Sequence, residues 1–110
     1  MKVLTLEQLV EDLKEAKTAA VAAHDATVDV GTCNMDCVFL EVPKTQHKLV
    51  KEALSVASVQ GSEYTWMGVP GFLLTPLSRG QANARSAAME AMMNSLAKAG
   101  YDVCGYYVMD

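Results

Sequence analysis

A five-residue pattern occurs twice in this chain. Phe39-Leu40-Glu41-Val42-Pro43 and Phe72-Leu73-Leu74-Thr75-Pro76 share the form FLxxP, 33 residues apart. Each copy reads as an apolar strand stopped by proline, which removes a ladder donor. Each is followed by a polar helix start, a helix and a further strand. From Cys37 onward the element order is therefore β-α-β-β-α-β, the split-βαβ order. Right-handed crossovers put both helices on one face of the sheet. The two FLxxP strands are expected to form a central, parallel pair, in keeping with their being the most apolar strands. The fold class is α+β: a two-layer sandwich of a mostly antiparallel sheet with helices on one face. It is ferredoxin-like from about residue 37, with an added N-terminal helix, and residues 1–110 form a single domain. The alternative is a ββα-ββα-β order in which residues 27–30 pair directly with residues 37–42.

The local signals place the elements. Thr5 and Gln8 have capping-box spacing, each side chain satisfying an orphan donor of the other's turn, and open a helix that reaches about His24. Leu6, Leu9, Val10, Leu13, Ala16 and Ala20 fall on its apolar face, and Glu7, Glu11, Asp12, Lys14 and Glu15 on the other. Residues 27–30 alternate as a short strand, and turn chemistry follows. After the first FLxxP strand a helix starts near Thr45, with Leu49, Val50, Ala53, Leu54 and Ala57 inward. Gln60-Gly61-Ser62 breaks it. Residues 63–67 read as a strand, and Gly68-Val69-Pro70-Gly71 as a turn leading into residues 72–75. Ser78 and Gln81 repeat the capping-box spacing. An Ala/Met-rich helix runs from there to Ala99, with Gly100 as its C-terminal cap. Residues 101–109 form the last strand.

Composition narrows the class further. Apolar residues make up 51% of the chain and charged residues 20%, a balance that fits a globular protein rather than a disordered one. The formal charge of −4 gives no net field toward nucleic acid or an anionic membrane. No apolar run approaches the ~20 residues that cross a bilayer. The first twelve residues are amphipathic and acidic, unlike a secretory signal. Three cysteines, Cys33, Cys37 and Cys104, cannot all pair within one chain, so free thiols and a cytoplasmic location are expected.

The candidate site follows from the expected parallel pair, because both strand-to-helix loops would then leave the same sheet edge. One loop brings Lys44, Thr45, His47 and Lys48, and the other Ser78, Arg79, Gln81, Asn83 and Arg85. Four of the nine basic residues would gather beside two helix N-termini, a setting for a phosphate, nucleotide or carboxylate. The plainer alternative is that Thr45 and Ser78 only cap their helices.

Other chemistries find less support. The x₃ spacing of Cys33 and Cys37 is not a zinc knuckle, and no Cys/His pair follows. His24, His47 or Cys104 would join them only if the fold brought them close, and no metal or cofactor is expected. There is no GxSxG elbow, P-loop or paired carboxylate, so no catalytic residues are assigned. Val38-Phe39-Leu40 and Gly71-Phe72-Leu73 resemble the aromatic strand motifs of RNA-recognition motifs. Leu74 and Thr75, however, stand where basic and aromatic residues are wanted. Phe39 and Phe72 are therefore read as core, and nucleic acid is not an expected partner.

The third helix is apolar nearly all round, so either the N-terminal helix or a second subunit covers it. The expected function is a non-catalytic binding module, homodimeric, recognising a small anionic ligand or a protein partner. The alternatives are an interaction or inhibitory protein that acts only through its surface, and a small dimeric ferredoxin-like enzyme.

Overall fold

In the computed structural model, residues 4–26, 37–75 and 82–106 are described, the side chains of 82–84 excepted. Helix α1 spans Leu6–Asp25. Thr5 is its N-cap, extended at φ −118° and ψ 148°, and its hydroxyl accepts from the Gln8 amide at 3.4 Å. The reciprocal half of the capping box is not made. The Gln8 side chain instead donates to Asp12 Oδ1 at 3.0 Å. Asp12 is buried rather than solvent-facing, because Tyr101 donates its hydroxyl to Asp12 Oδ2 at 2.6 Å and ties α1 to the far end of the chain.

Strand β1 (Cys37–Glu41) is followed by a 3-10 turn, Lys44–Gln46, and helix α2 (His47–Ala57). The expected Thr45 cap is absent, since the 3-10 turn supplies the entry and no side chain caps it. Ser58 stops α2 in the left-handed conformation at φ 58°, with Val59 N–H bonded back to Leu54 O at 3.0 Å. That closure, and not Gln60-Gly61-Ser62, ends the helix. Those three residues already belong to strand β2 (Gln60–Trp66).

The hairpin into β3 (Val69–Thr75) is tighter than expected. Trp66 pairs with Val69, so the loop is only Met67-Gly68, and both have positive φ, 52° and 80°. This is the two-residue turn whose twist matches that of the flanking strands. Pro70 and Gly71 lie within the strand and not in the turn. Helix α3 (Ala82–Lys98) ends where expected, at Gly100. Gly100 adopts φ 100°, and Tyr101 N–H bonds to Leu96 O at 3.1 Å. Strand β4 (Val103–Tyr106) completes the described chain. The expected strand at 27–30, the Ser78–Gln81 capping box and the end of the last strand lie outside the described residues.

The four strands form one sheet in the order β2-β3-β1-β4, every neighbouring pair antiparallel, and the helices pack on it. The α+β sandwich is thus present, but the central pair is antiparallel and not parallel as expected. The reason is directional: a helical crossover returns the chain in the sense of β1, and the β2–β3 hairpin then reverses it.

The two FLxxP copies are also out of phase. Phe39 stands opposite Leu73, and Leu40 opposite Phe72. Val38, Leu40, Phe72 and Leu74 therefore face the helices, where they join Leu9, Leu13, Ala16 and Ala20 of α1 and Met89, Met92 and Leu96 of α3 in one core. Phe39 faces the other way. Helix α1 packs on α3 and covers part of its apolar surface.

Candidate functional site on the open sheet face

Those of the expected site residues that are described do not converge. Lys44, Thr45, His47 and Lys48 follow the C-terminal end of β1. Arg85 lies at the opposite end of that strand, its Nη2 3.9 Å from the Cys37 sulfur. Four residue steps of extended chain separate those ends by about 13 Å. Lys44, Thr45 and Lys48 are exposed, whereas Arg85 is buried in α3. Asn83 falls in α3 with its side chain outside the description, and Ser78, Arg79 and Gln81 lie outside the described residues.

His47 has a structural task that the sequence conceals. The ladder sets Val42 opposite Pro70, and Val42 N–H donates to Pro70 O at 3.1 Å. An antiparallel pair of this kind normally exchanges two bonds, but proline has no N–H to return. The Val42 carbonyl, on a residue only 1% exposed, would be left without a donor. His47 Nε2 fills that place at 2.9 Å. Its ring packs on Phe72 with centroids 4.8 Å apart, and Nδ1 lies 3.4 Å from Glu63 Oε2. Lys51 pairs with the other Glu63 oxygen. Hydrogen bonds from Lys51 and then His47 hold the Glu63 carboxyl below its ordinary range.

The feature that sequence reasoning missed is on the face of the sheet away from the helices. Along the strands Phe39, Tyr64, Trp66, Cys104 and Tyr106 all project there, as the register requires. Trp66 meets Phe39 at 5.4 Å and Tyr106 at 5.2 Å, and Tyr64 meets Tyr106 at 5.6 Å, each pair edge-to-face. The Tyr64 and Tyr106 hydroxyls are 3.3 Å apart. The two tyrosines and the tryptophan reach inward from edge strands β2 and β4 and roof the central pair. Phe39 lies beneath them, 4% exposed.

Gly71 makes this layer possible. A Cβ there would sit 2.7 Å from the Phe39 ring and 2.3 Å from the Leu40 carbonyl oxygen. Four of the chain's seven aromatic residues are committed to this face, so the few aromatics do not mainly fill the core. The period-two spacing of Tyr64 and Trp66 was visible in the sequence. Which face they occupied depended on the register.

The electrostatics of this face are one-sided. None of the four strands contains a lysine or arginine. Beside the rings lies a cavity of about 260 Å³, with Phe39, Trp66 and Val69 among its walls and Glu41 and Asp102 on its lining. Met67, 89% exposed, stands at its margin. Desolvation first, and the Glu41 carboxylate second, push the Cys104 thiol up. That disfavours the thiolate a nucleophile or a metal site would need. Tyr106 is likewise pushed up, first by its hydrogen bond to Tyr64.

His24 sits at the end of α1, its Nδ1 3.2 Å from Asp25 Oδ1. Among the described residues no three His, Cys, Asp or Glu side chains gather as a metal site, and no helix is long and apolar enough to cross a membrane. What the arrangement offers is an apolar, aromatic, negatively edged surface for contact. No protein-family model, curated protein or solved structure matches the chain.

Proposed function

We propose that this protein is a non-catalytic binding module that engages a protein partner through the open face of its sheet. The observation that carries the reading is the ring layer of Phe39, Tyr64, Trp66 and Tyr106 on a face that no described helix covers. Tyrosine, tryptophan, phenylalanine and methionine are the side chains enriched at the centres of protein interfaces. Tyr64 at 37% and Met67 at 89% exposure leave apolar surface in water beside that layer. Aromatic rings could also stack on nucleobases, but a strand set without a lysine or arginine offers phosphates nothing.

The small-anion reading draws no support from its described basic residues, which stand at opposite ends of β1. A homodimer has less to recommend it once α1 covers part of α3. The cytoplasmic location belongs to the same proposal, and rests on three cysteines that cannot all pair within one chain.

Trp66 is the chain's single tryptophan, so its emission reports directly on this face. Peptides selected from a displayed random library should shift that emission in the wild type and, by calorimetric titration, bind at least about tenfold more weakly to Tyr64→Ala and Trp66→Ala, the scale of an interface anchor. A selection that yields no peptide sensitive to either substitution would sink the reading.

A further inference from the structure

Two carboxylates sit side by side at one end of the open face with nothing described to balance them. Glu41 N–H donates to Asp102 O at 2.9 Å, which makes the two residues cross-strand neighbours. Both residues line the 260 Å³ cavity, and both are exposed. Like charges on directly neighbouring strand positions repel and lower the stability of a sheet. Among the described residues the ion pairs engage His24, His47 and Lys51 with Asp25 and Glu63, and none reaches Glu41 or Asp102. The rest of the lining is uncharged: Phe39, Trp66, Val69 and Val103, with the sulfur-bearing Met67 and Cys104.

Carboxylates beside ring faces define one kind of occupant. An aromatic face attracts a cation through its quadrupole, and the attraction grows as the cation loses water. Paired carboxylates add a charge-assisted acceptor on the same side. A neutral apolar group would fill the cavity but leave the repulsion in place, and a phosphate or carboxylate would add to it. Between the two cationic side chains, the guanidinium is the better match. It is planar, stacks on rings, is weakly hydrated and presents forked donors to carboxylates, whereas an ammonium is a compact and strongly hydrated point charge. The volume is below that of an ordinary ligand pocket, about 300–1,000 Å³, and suits a single long side chain.

We propose that this cavity receives an arginine side chain of the protein partner. The guanidinium lies against Trp66 and is held by Glu41 and Asp102. This rests on the open-face reading above and gives it its specificity: the partner is selected for a basic residue presented beside apolar ones.

The test compares two probes of nearly the same shape, N-acetyl-arginine amide and N-acetyl-citrulline amide, the second neutral. Each is titrated into the intact protein, following the Trp66 indole N–H resonance and its emission. The arginine probe should bind at least about fivefold more tightly than citrulline, an exposed cation–π contact supplying about two- to fivefold and the carboxylates the rest. In the Glu41→Gln, Asp102→Asn double variant this preference should fall to what the ring alone supplies. The variant's melting temperature, unchanged or raised by relief of the like-charge pair, confirms that it is folded. Equal binding of the two probes, no response of Trp66 to either, or a preference that is undiminished in the double variant each overturns the proposal. Displayed peptides that depend on Trp66 but carry no arginine would overturn it too, while leaving the open-face reading intact.

Discussion

Substituting His47 tests how the sheet completes its hydrogen bonding around a proline. In His47→Ala the Val42 carbonyl, on a residue 1% exposed, has neither the imidazole nor a proline N–H as donor. A buried acceptor left unsatisfied costs about 1–3 kcal/mol, and loss of the ring contact with Phe72 adds about 0.5–1.5 kcal/mol. The sum, about 1.5–4.5 kcal/mol, corresponds to a fall in Tm on the order of 10 °C for a chain of this size. The same result would follow from simple loss of packing, so the informative measurement is a cycle with Pro70→Ala. Alanine restores the missing N–H opposite Val42 O. Alone, Pro70→Ala should cost about 0.4–1 kcal/mol by loosening the unfolded chain. In the His47→Ala background it should instead recover stability, giving a coupling energy of about 1 kcal/mol or more. Urea denaturation of the four proteins measures the coupling. In the double variant the new backbone amide at position 70 should also be protected from hydrogen exchange. A coupling energy near zero would refute the account, leaving His47 as no more than a packed ring.

Three further outcomes follow from the same geometry. Glu63→Gln should flatten the acid limb of the stability curve. Its folded carboxyl is held below the ordinary 4.5, so its contribution is present above that pH and is lost as pH falls through the lower folded value. Equilibrium unfolding across the acid range checks this. Gly71→Ala should destabilise by about 1–3 kcal/mol and alter Trp66 emission, since the new methyl meets the Leu40 carbonyl and the Phe39 ring; an unperturbed melt and spectrum would contradict the close approach. Tyr101→Phe should cost about 1–3 kcal/mol by removing a buried donor to Asp12. Burial first, and the bond to Asp12 second, push the Tyr101 hydroxyl well up, so stability held below the ordinary 10.0 is lost as pH rises toward the folded value. In an ultraviolet titration, one tyrosine of the wild type should therefore resist ionisation until the protein unfolds, and Tyr101→Phe should lack that late step.

Much of the helical architecture was legible because helix signals are local. Thr5 at the start of α1, the apolar stripe through Leu9, Leu13 and Ala16, and Gly100 after α3 all act within a turn or two of chain. Asp12 was misplaced because the donor that holds it inside, Tyr101, is 89 residues away. Pro70-Gly71 looked like a turn because the local preference of that dipeptide is strong. Pairing Trp66 with Val69 and facing Phe72 and Leu74 toward the helices moved the reversal to Met67-Gly68. The antiparallel sense of the two FLxxP strands was in principle deducible, since one crossover and one hairpin lie between them. The repeated letters concealed it, along with the difference in pleat phase that sends Phe39 outward and Phe72 inward.

The sequence by itself therefore determined the element types and their order, since helix periodicity, caps and proline stops depend on neighbours within a few residues. Only the tertiary structure decided which strands lie side by side and which face each residue takes. In a strand, a shift of one position turns every side chain to the opposite side. That step of register made Phe39, Tyr64, Trp66 and Tyr106 a surface rather than a core. It also set Glu41 beside Asp102, and the antiparallel pairing carried the described basic residues of the two loops to opposite ends of the sheet.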